Sequence, residues 1–187
     1  MDKYAGHSKF GMCKRIFIRS VIYFVVLIWF GQSSQADPTE EMLIKMALVY
    51  KIAKFVEWPQ SESSLNQMTV CALGDEERVE VFKTLESKQL GGRPIVVQIN
   101  GPVQDLFSHC QIVYFDQSAL RRNSLKIRDG SNALTISDAE HFADRGGIVE
   151  LATEAQQIKI RINLSNSERQ GLRIYAPLLQ VSTVIMD

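Results

Sequence analysis

Seven residues, Met68-Thr69-Val70-Cys71-Ala72-Leu73-Gly74, restrict the fold of this chain more than any others. The run is apolar almost throughout and does not alternate, so it needs cover on both faces; glycine and Asp75-Glu76 end it. It reads as a central strand turning into a helix. Further strands are expected at Pro94–Ile99, Cys110–Phe115 and Ala133–Ser137, with short helical segments over Glu76–Leu85 and Leu120–Ile127 and a turn at Gly91-Gly92. Strands alternating with helices predict an α/β three-layer sandwich, a mixed, mostly parallel sheet flanked by helices. Ordered second, first, third, fourth across the sheet, these strands would set Cys71 and Cys110 on neighbours.

Before this unit, Asp37-Pro38-Thr39-Glu40 has the form of a helix start: a capping residue, proline at the first helical position and a glutamate that completes the box. Leu43, Met46, Ala47, Tyr50 and Ala53 follow at spacings of three and four, and Phe55, Val56 and Trp58 broaden that face before Pro59 stops the helix. Lys45, Lys51, Lys54 and Glu57 fall on the other side. Phe55 and Trp58 suit either core packing or a ligand or partner surface. After the unit, Asp138–Ala143 forms a helical turn closed by Gly146-Gly147, and Ile148–Leu151 with Gln157–Asn163 makes a hairpin. In the latter, Ile158, Ile160 and Ile162 alternate with Lys159, Arg161 and Asn163, which predicts one buried and one wet face. Ser165–Gln170 begins a last helical region, and Leu172, Leu178, Leu179 and Val181 suggest packing at the C-terminus.

The formal charge of the 187 residues is zero, but it mixes two unlike segments. Residues 1–36 hold five basic side chains (Lys3, Lys9, Lys14, Arg15, Arg19) and one acidic, Asp2, which leaves 16 basic against 20 acidic on the remainder. That balance argues against a nucleic-acid surface. The basic segment precedes ten apolar residues, Val21–Phe30, and then small residues at Ser34 and Ala36, the pattern of a secretory signal peptide cut before Asp37. The apolar run is shorter than the roughly 20 residues of a membrane span, so no stable span is expected after cleavage; an uncleaved anchor is the competing reading. Residues 37–187 then form a single exported domain. In an oxidising compartment its two cysteines, Cys71 and Cys110, are an even pair for which a disulfide is the default, against the alternative of two buried free thiols.

No Gly-x-Ser-x-Gly, His-Glu-x-x-His, Gly-x-Gly-x-x-Gly or phosphate loop occurs, and His109 and His141 stand outside metal-ligand spacing, so neither an enzyme nor a cofactor or metal is expected. Asp75, Asp116 and Asp138 all follow expected strands and would converge at one edge of a parallel sheet, as in a receiver domain that binds Mg²⁺ or accepts a phosphoryl group. Acidic residues after strands also serve as helix caps. Arg93, Arg161 and Arg173 are conceivable anion contacts or solvated surface charges.

Read together, Lys54-Phe55-Val56-Glu57-Trp58-Pro59, Val70-Cys71-Ala72-Leu73-Gly74, Gly92-Arg93-Pro94-Ile95, Cys110-Gln111-Ile112-Val113-Tyr114-Phe115, Leu134-Thr135-Ile136-Ser137-Asp138, Gly146-Gly147 and Ile162-Asn163 resemble, in the same order, the YfiR-like proteins. The resemblance covers nearly all of residues 37–187. It implies an exported, non-catalytic regulator in the periplasm that binds the periplasmic sensor region of an inner-membrane diguanylate cyclase and represses it, lowering cyclic-di-GMP signalling. It also implies a disulfide between Cys71 and Cys110. A homodimer is expected, and residues near Trp58 and the strand bearing Glu150 are candidates for the partner contact. Free-standing small-ligand binding without a cyclase partner is the alternative. Two departures stand out: some members carry a second cysteine pair where this chain has only Arg145 and Ala152, and Ala176-Pro177 rather than a serine precedes Leu178-Leu179.

Overall fold

Helix α1 (Pro38–Ala53) opens the computed structural model, which describes residues 38–59, 65–122, 130–155 and 157–186. The expected signal segment, the Asp37 cap and positions 123–127 of an expected helix lie outside these residues. The buried face of α1 carries Met42, Lys45, Met46, Val49, Ile52 and Ala53, while Leu43 and Ala47 are exposed. The stripe therefore sits one residue away from the expected one. Its register is set by Lys45, which is not on the wet side but 3 % exposed, with its ammonium on a carboxylate of the sheet.

The helix stops at Ala53, before the aromatic residues expected to extend it. Pro59 disfavours helical backbone at Trp58, and Val56 finds a strand partner instead. Strand β1 (Val56–Glu57) pairs antiparallel with β9 (Arg173–Ile174), Val56 opposite Ile174.

Strand β2 (Met68–Leu73) is buried at every position. It leads into one turn of α-helix, α2 (Glu76–Val79), which tightens into a 3₁₀ segment (Glu80–Ser87) that buries Phe82 and Leu85. A short strand, β3 (Gln89–Leu90), turns through Gly91-Gly92, both at positive φ, into β4 (Arg93–Ile99). Helix α3 (Leu106–His109), strand β5 (Ile112–Phe115), helix α4 (Gln117–Arg122) and strand β6 (Leu134–Ser137) complete the alternating part. The hairpin is β7 (Val149–Glu154) and β8 (Gln157–Asn163); α5 (Leu164–Arg169), β9, α6 (Ala176–Leu179) and β10 (Thr183–Ile185) follow.

Among the described residues, eight strands form one sheet in the order β10-β8-β7-β6-β5-β2-β4-β3. The four strands legible in the sequence take their expected order, and β4, β2, β5, β6 and β7 run parallel. β7 and β8 are antiparallel, as are β3 and β4, and β10 adds parallel to β8 beyond the hairpin. The fold is thus α/β with a mixed, mostly parallel sheet.

Alternate residues of the central strands feed two apolar clusters, which accounts for their unbroken hydrophobicity. Val70, Ala72, Ile112 and Tyr114 pack with α1 and the Phe82–Leu85 segment on one face. Cys71, Leu73, Val113 and Phe115 pack with Leu106, Ala119 and Phe142 on the other. In β8 the expected alternation fails at its end: Asn163 is fully buried, capping α5 by accepting from the Asn166 N–H and donating its amide to Ala143 O. A side chain that resembles a solvated position is instead the joint between strand and helix.

Candidate functional site

Two regions of chemical interest lie on the β2–β5 pair. Toward its middle, Cys71 of β2 stands opposite Val113, and Cys110 sits just before β5 at the C-cap of α3. The two sulfurs are joined, with Cα atoms 5.9 Å apart across a sequence separation of 39. Both cysteines are buried, at 1 % and 3 % exposure. Partly exposed His109 adjoins them: one ring nitrogen and both sulfurs lie within 4.8 Å of one another. Gln98 of β4, which is level with Cys71, places its Oε1 3.0 Å from His109 Nε2 and 3.8 Å from Cys71 Sγ. His109 was not legible as part of this group, because its spacing from Cys71 is set by strand pairing; its adjacency to Cys110 is the one signal the sequence carries.

The second region is the C-terminal edge of the parallel strands, where Asp75, Asp116 and Asp138 were expected to converge. Asp116, 2 % exposed, caps α4 by accepting from the Ala119 N–H (2.7 Å) and the Ser118 hydroxyl (2.7 Å), and it also accepts from the Asp75 N–H (2.8 Å). Burial alone would raise its carboxyl; the hydrogen bonds from Asp75, Ser118 and Ala119 outweigh it and hold the group below the ordinary range. A β-carbon at Gly74 would overlap this carboxylate, which is why the strand can end here only in glycine. Asp138 accepts from Lys45 Nζ (2.8 Å), from Arg78 (3.2 Å) and from the Gln117 N–H (3.0 Å). Asp75 occupies the N-cap position of α2 with no side-chain cap bond and is exposed. Tyr114 is fully buried nearby; burial first, then the negative charge of Asp138, pushes its phenol well above the ordinary range.

This edge is therefore a joint. One carboxylate caps a helix and bridges to the next loop, and the other docks α1 through a buried ammonium. Neither presents its oxygens to solvent as a receiver-type phosphate acceptor or Mg²⁺ site would.

The expected partner-surface residues do not form one patch. Phe55, 37 % exposed, lies in the turn after α1. Trp58 is 7 % exposed and donates its indole N–H to Gln111 O at 3.3 Å, so it packs in the core and ties β1 to the disulfide strand. Arg173 is exposed on β9 beside Glu57, at 3.7 Å, and Glu57 also accepts from the Tyr175 hydroxyl at 3.0 Å. That bond to Glu57 raises the Tyr175 phenol. Glu150, 2 % exposed, accepts from Arg161 Nη1 through both carboxylate oxygens at 3.0 Å where β7 pairs with β8, and Arg161 Nη2 donates to Asp144. The bond to Glu150 raises the Arg161 guanidinium, and contacts with His141 first and Arg161 next lower Asp144. An open cleft of about 260 Å³ adjoins β1, lined in part by Lys54, Glu57, Trp58, Arg93 and Tyr175. Among the described residues no helix is long and apolar enough to cross a membrane.

No curated protein matches this chain. Among solved structures, a conserved domain protein from Vibrio cholerae O1 biovar El Tor str. N16961 is similar, with 12% sequence identity and a TM-score of 0.49 over 78% of this chain. The similarity spans 60% of that protein's chain. The sequence profile of the YfiR/HmsC-like family matches residues 43–183, from the exposed side of α1 to the first residue of β10. With the family's profile running through every strand of the sheet and through both halves of the disulfide, the chain belongs to the YfiR/HmsC-like family.

Proposed function

We propose that this protein is a non-catalytic periplasmic regulator that binds the periplasmic sensor region of an inner-membrane diguanylate cyclase and holds it inactive. The family match over residues 43–183 carries this reading. The Cys71–Cys110 bond supports it, since such a bond persists in an oxidising compartment. Repression needs only differential affinity: the regulator must bind the inactive cyclase conformation more tightly than the active one. The surface offered for that contact is the β1/β9 ribbon with Phe55, Arg173 and Tyr175, where exposed aromatic and charged groups adjoin a two-stranded element. Aromatic and arginine side chains are the usual anchors of protein contacts. A homodimer is the proposed form of the regulator.

Co-purification from membranes under oxidising conditions tests the proposal. Tagged protein should retain a membrane cyclase, and Phe55→Glu with Arg173→Glu should weaken that capture without lowering the melting temperature. Recovery of the protein with no cyclase at all overturns it. The cleft beside β1 favours a second reading, free-standing binding of a small ligand bearing both apolar and charged groups. A thermal shift with a metabolite in the absence of any protein complex would support that reading instead.

A further inference from the structure

We propose that reduction converts the Cys71–Cys110 bond into a metal site, in which the two thiolates and the His109 imidazole hold one Zn²⁺. The three ligand atoms are already gathered: both sulfurs and a ring nitrogen of His109 lie within 4.8 Å of one another. Zinc binds thiolate at about 2.3 Å and imidazole at about 2.0–2.1 Å, so ligands around one ion stand roughly 3.5–3.8 Å apart. The imidazole nitrogen, within 4.8 Å of both sulfurs, needs at most about 1 Å of movement to reach that spacing. The sulfurs, once unbonded, reach it by rotating about their side-chain bonds, with Cα atoms 5.9 Å apart.

The surroundings suit the ion as well. Gln98 Oε1, 3.0 Å from His109 Nε2 and 3.8 Å from Cys71 Sγ, is a neutral oxygen at the same spot. It can accept from the imidazole N–H and fix the ring, the usual outer support of a metal-bound histidine, while water takes the fourth position. His109 is partly exposed and gives the ion a way in. Two thiolates buried to this depth repel each other and are poorly solvated; a divalent cation cancels both charges.

The steps balance with a dithiol as reductant. Its two thiols supply two electrons and two protons, the Cys71–Cys110 bond breaks to two thiols, and the reductant leaves as a disulfide. Zn²⁺ then displaces one proton from each thiol, and the neutral imidazole donates its lone pair. The proposal is independent of the cyclase reading, since it rests on this side-chain cluster alone.

The sequence holds one further cysteine, Cys13, so the test uses the full chain with Cys13→Ser throughout and only the Cys71–Cys110 pair can respond. Protein reduced without oxygen is titrated with Zn²⁺ against a chromogenic chelator, and with Co²⁺ as a spectroscopic probe. The expected result is one Zn²⁺ per reduced chain and none on the oxidised chain, a thiolate-to-cobalt charge-transfer band, and a higher melting temperature for the reduced chain with Zn²⁺. His109→Ala, which should fold normally when oxidised, should weaken the affinity at least ~10-fold. Absence of uptake by the reduced chain overturns the proposal, as does equal affinity in His109→Ala. If reduction unfolds the chain, uptake that restores the folded circular dichroism supports the site, and uptake without that recovery overturns it.

Discussion

Breaking the bond between Cys71 and Cys110 should destabilise the domain by an amount that the topology fixes in advance. The cross-link closes a loop with a sequence separation of 39, containing α2, the 3₁₀ segment, β3, β4 and α3. On the chain-entropy relation, a loop of that length restricts the unfolded chain by about 4 kcal/mol. For a domain of this size each kcal/mol moves the melting temperature by roughly 2–4 °C, so the reduced chain should melt about 8–16 °C lower. The comparison is oxidised protein against reduced protein and against the Cys71→Ser, Cys110→Ser double variant, all with a metal chelator, followed by circular dichroism in heat and in urea. The slope of stability against urea should also rise on reduction, because the uncrossed unfolded chain exposes more surface. Reduced and oxidised chains that melt within about 2 °C of each other would refute the reasoning, since even a weak cross-link effect would exceed that.

Lys45→Met removes the buried ammonium from Asp138 and should cost about 3–5 kcal/mol in urea, with part of the loss recovered in the Lys45→Met, Asp138→Asn pair. Asp116 has its carboxyl lowered on folding, so its contribution is complete above the unfolded value of about 3.9 and is lost as pH falls through the lower folded value. Asp116→Asn should therefore flatten the acid limb of urea midpoints measured against pH; an unchanged limb would contradict the assignment. Gly74→Ala forces a β-carbon onto the Asp116 carboxylate and should lose about 1–3 kcal/mol, read as a lower melting temperature.

What the sequence discloses about this fold is governed by burial on two faces. β2, β5 and β6 are covered on both sides, so they stand out as continuous apolar runs, and their neighbours in the sheet follow from the usual crossover rules. The cysteine pair was legible because only two cysteines fall within residues 37–187. β1, β3, β9 and β10 were not, since pairings of two or three residues depend on a partner 118 positions away in one case, as Val56 on Ile174, or on an adjacent turn. Local preference carries little information at that length. The register of α1 was misread because Lys45 counts as polar in any periodicity, whereas its burial is decided by a carboxylate 93 residues later. The same distance hid the use of Asp138, and strand pairing hid the approach of His109 to Cys71.

Both flanks of the sheet end in stubs, β3 with two residues and β10 with three. A long bare flank would offer a row of free amide and carbonyl groups on which strands from other molecules could add. The tail from Thr183 to Ile185 shields the seven-residue β8 from that fate, and it does so with too little backbone of its own to serve as a template. Trimming those few terminal positions would thus turn a sealed margin into a sticky one, and insolubility, rather than loss of the core, would be the first symptom.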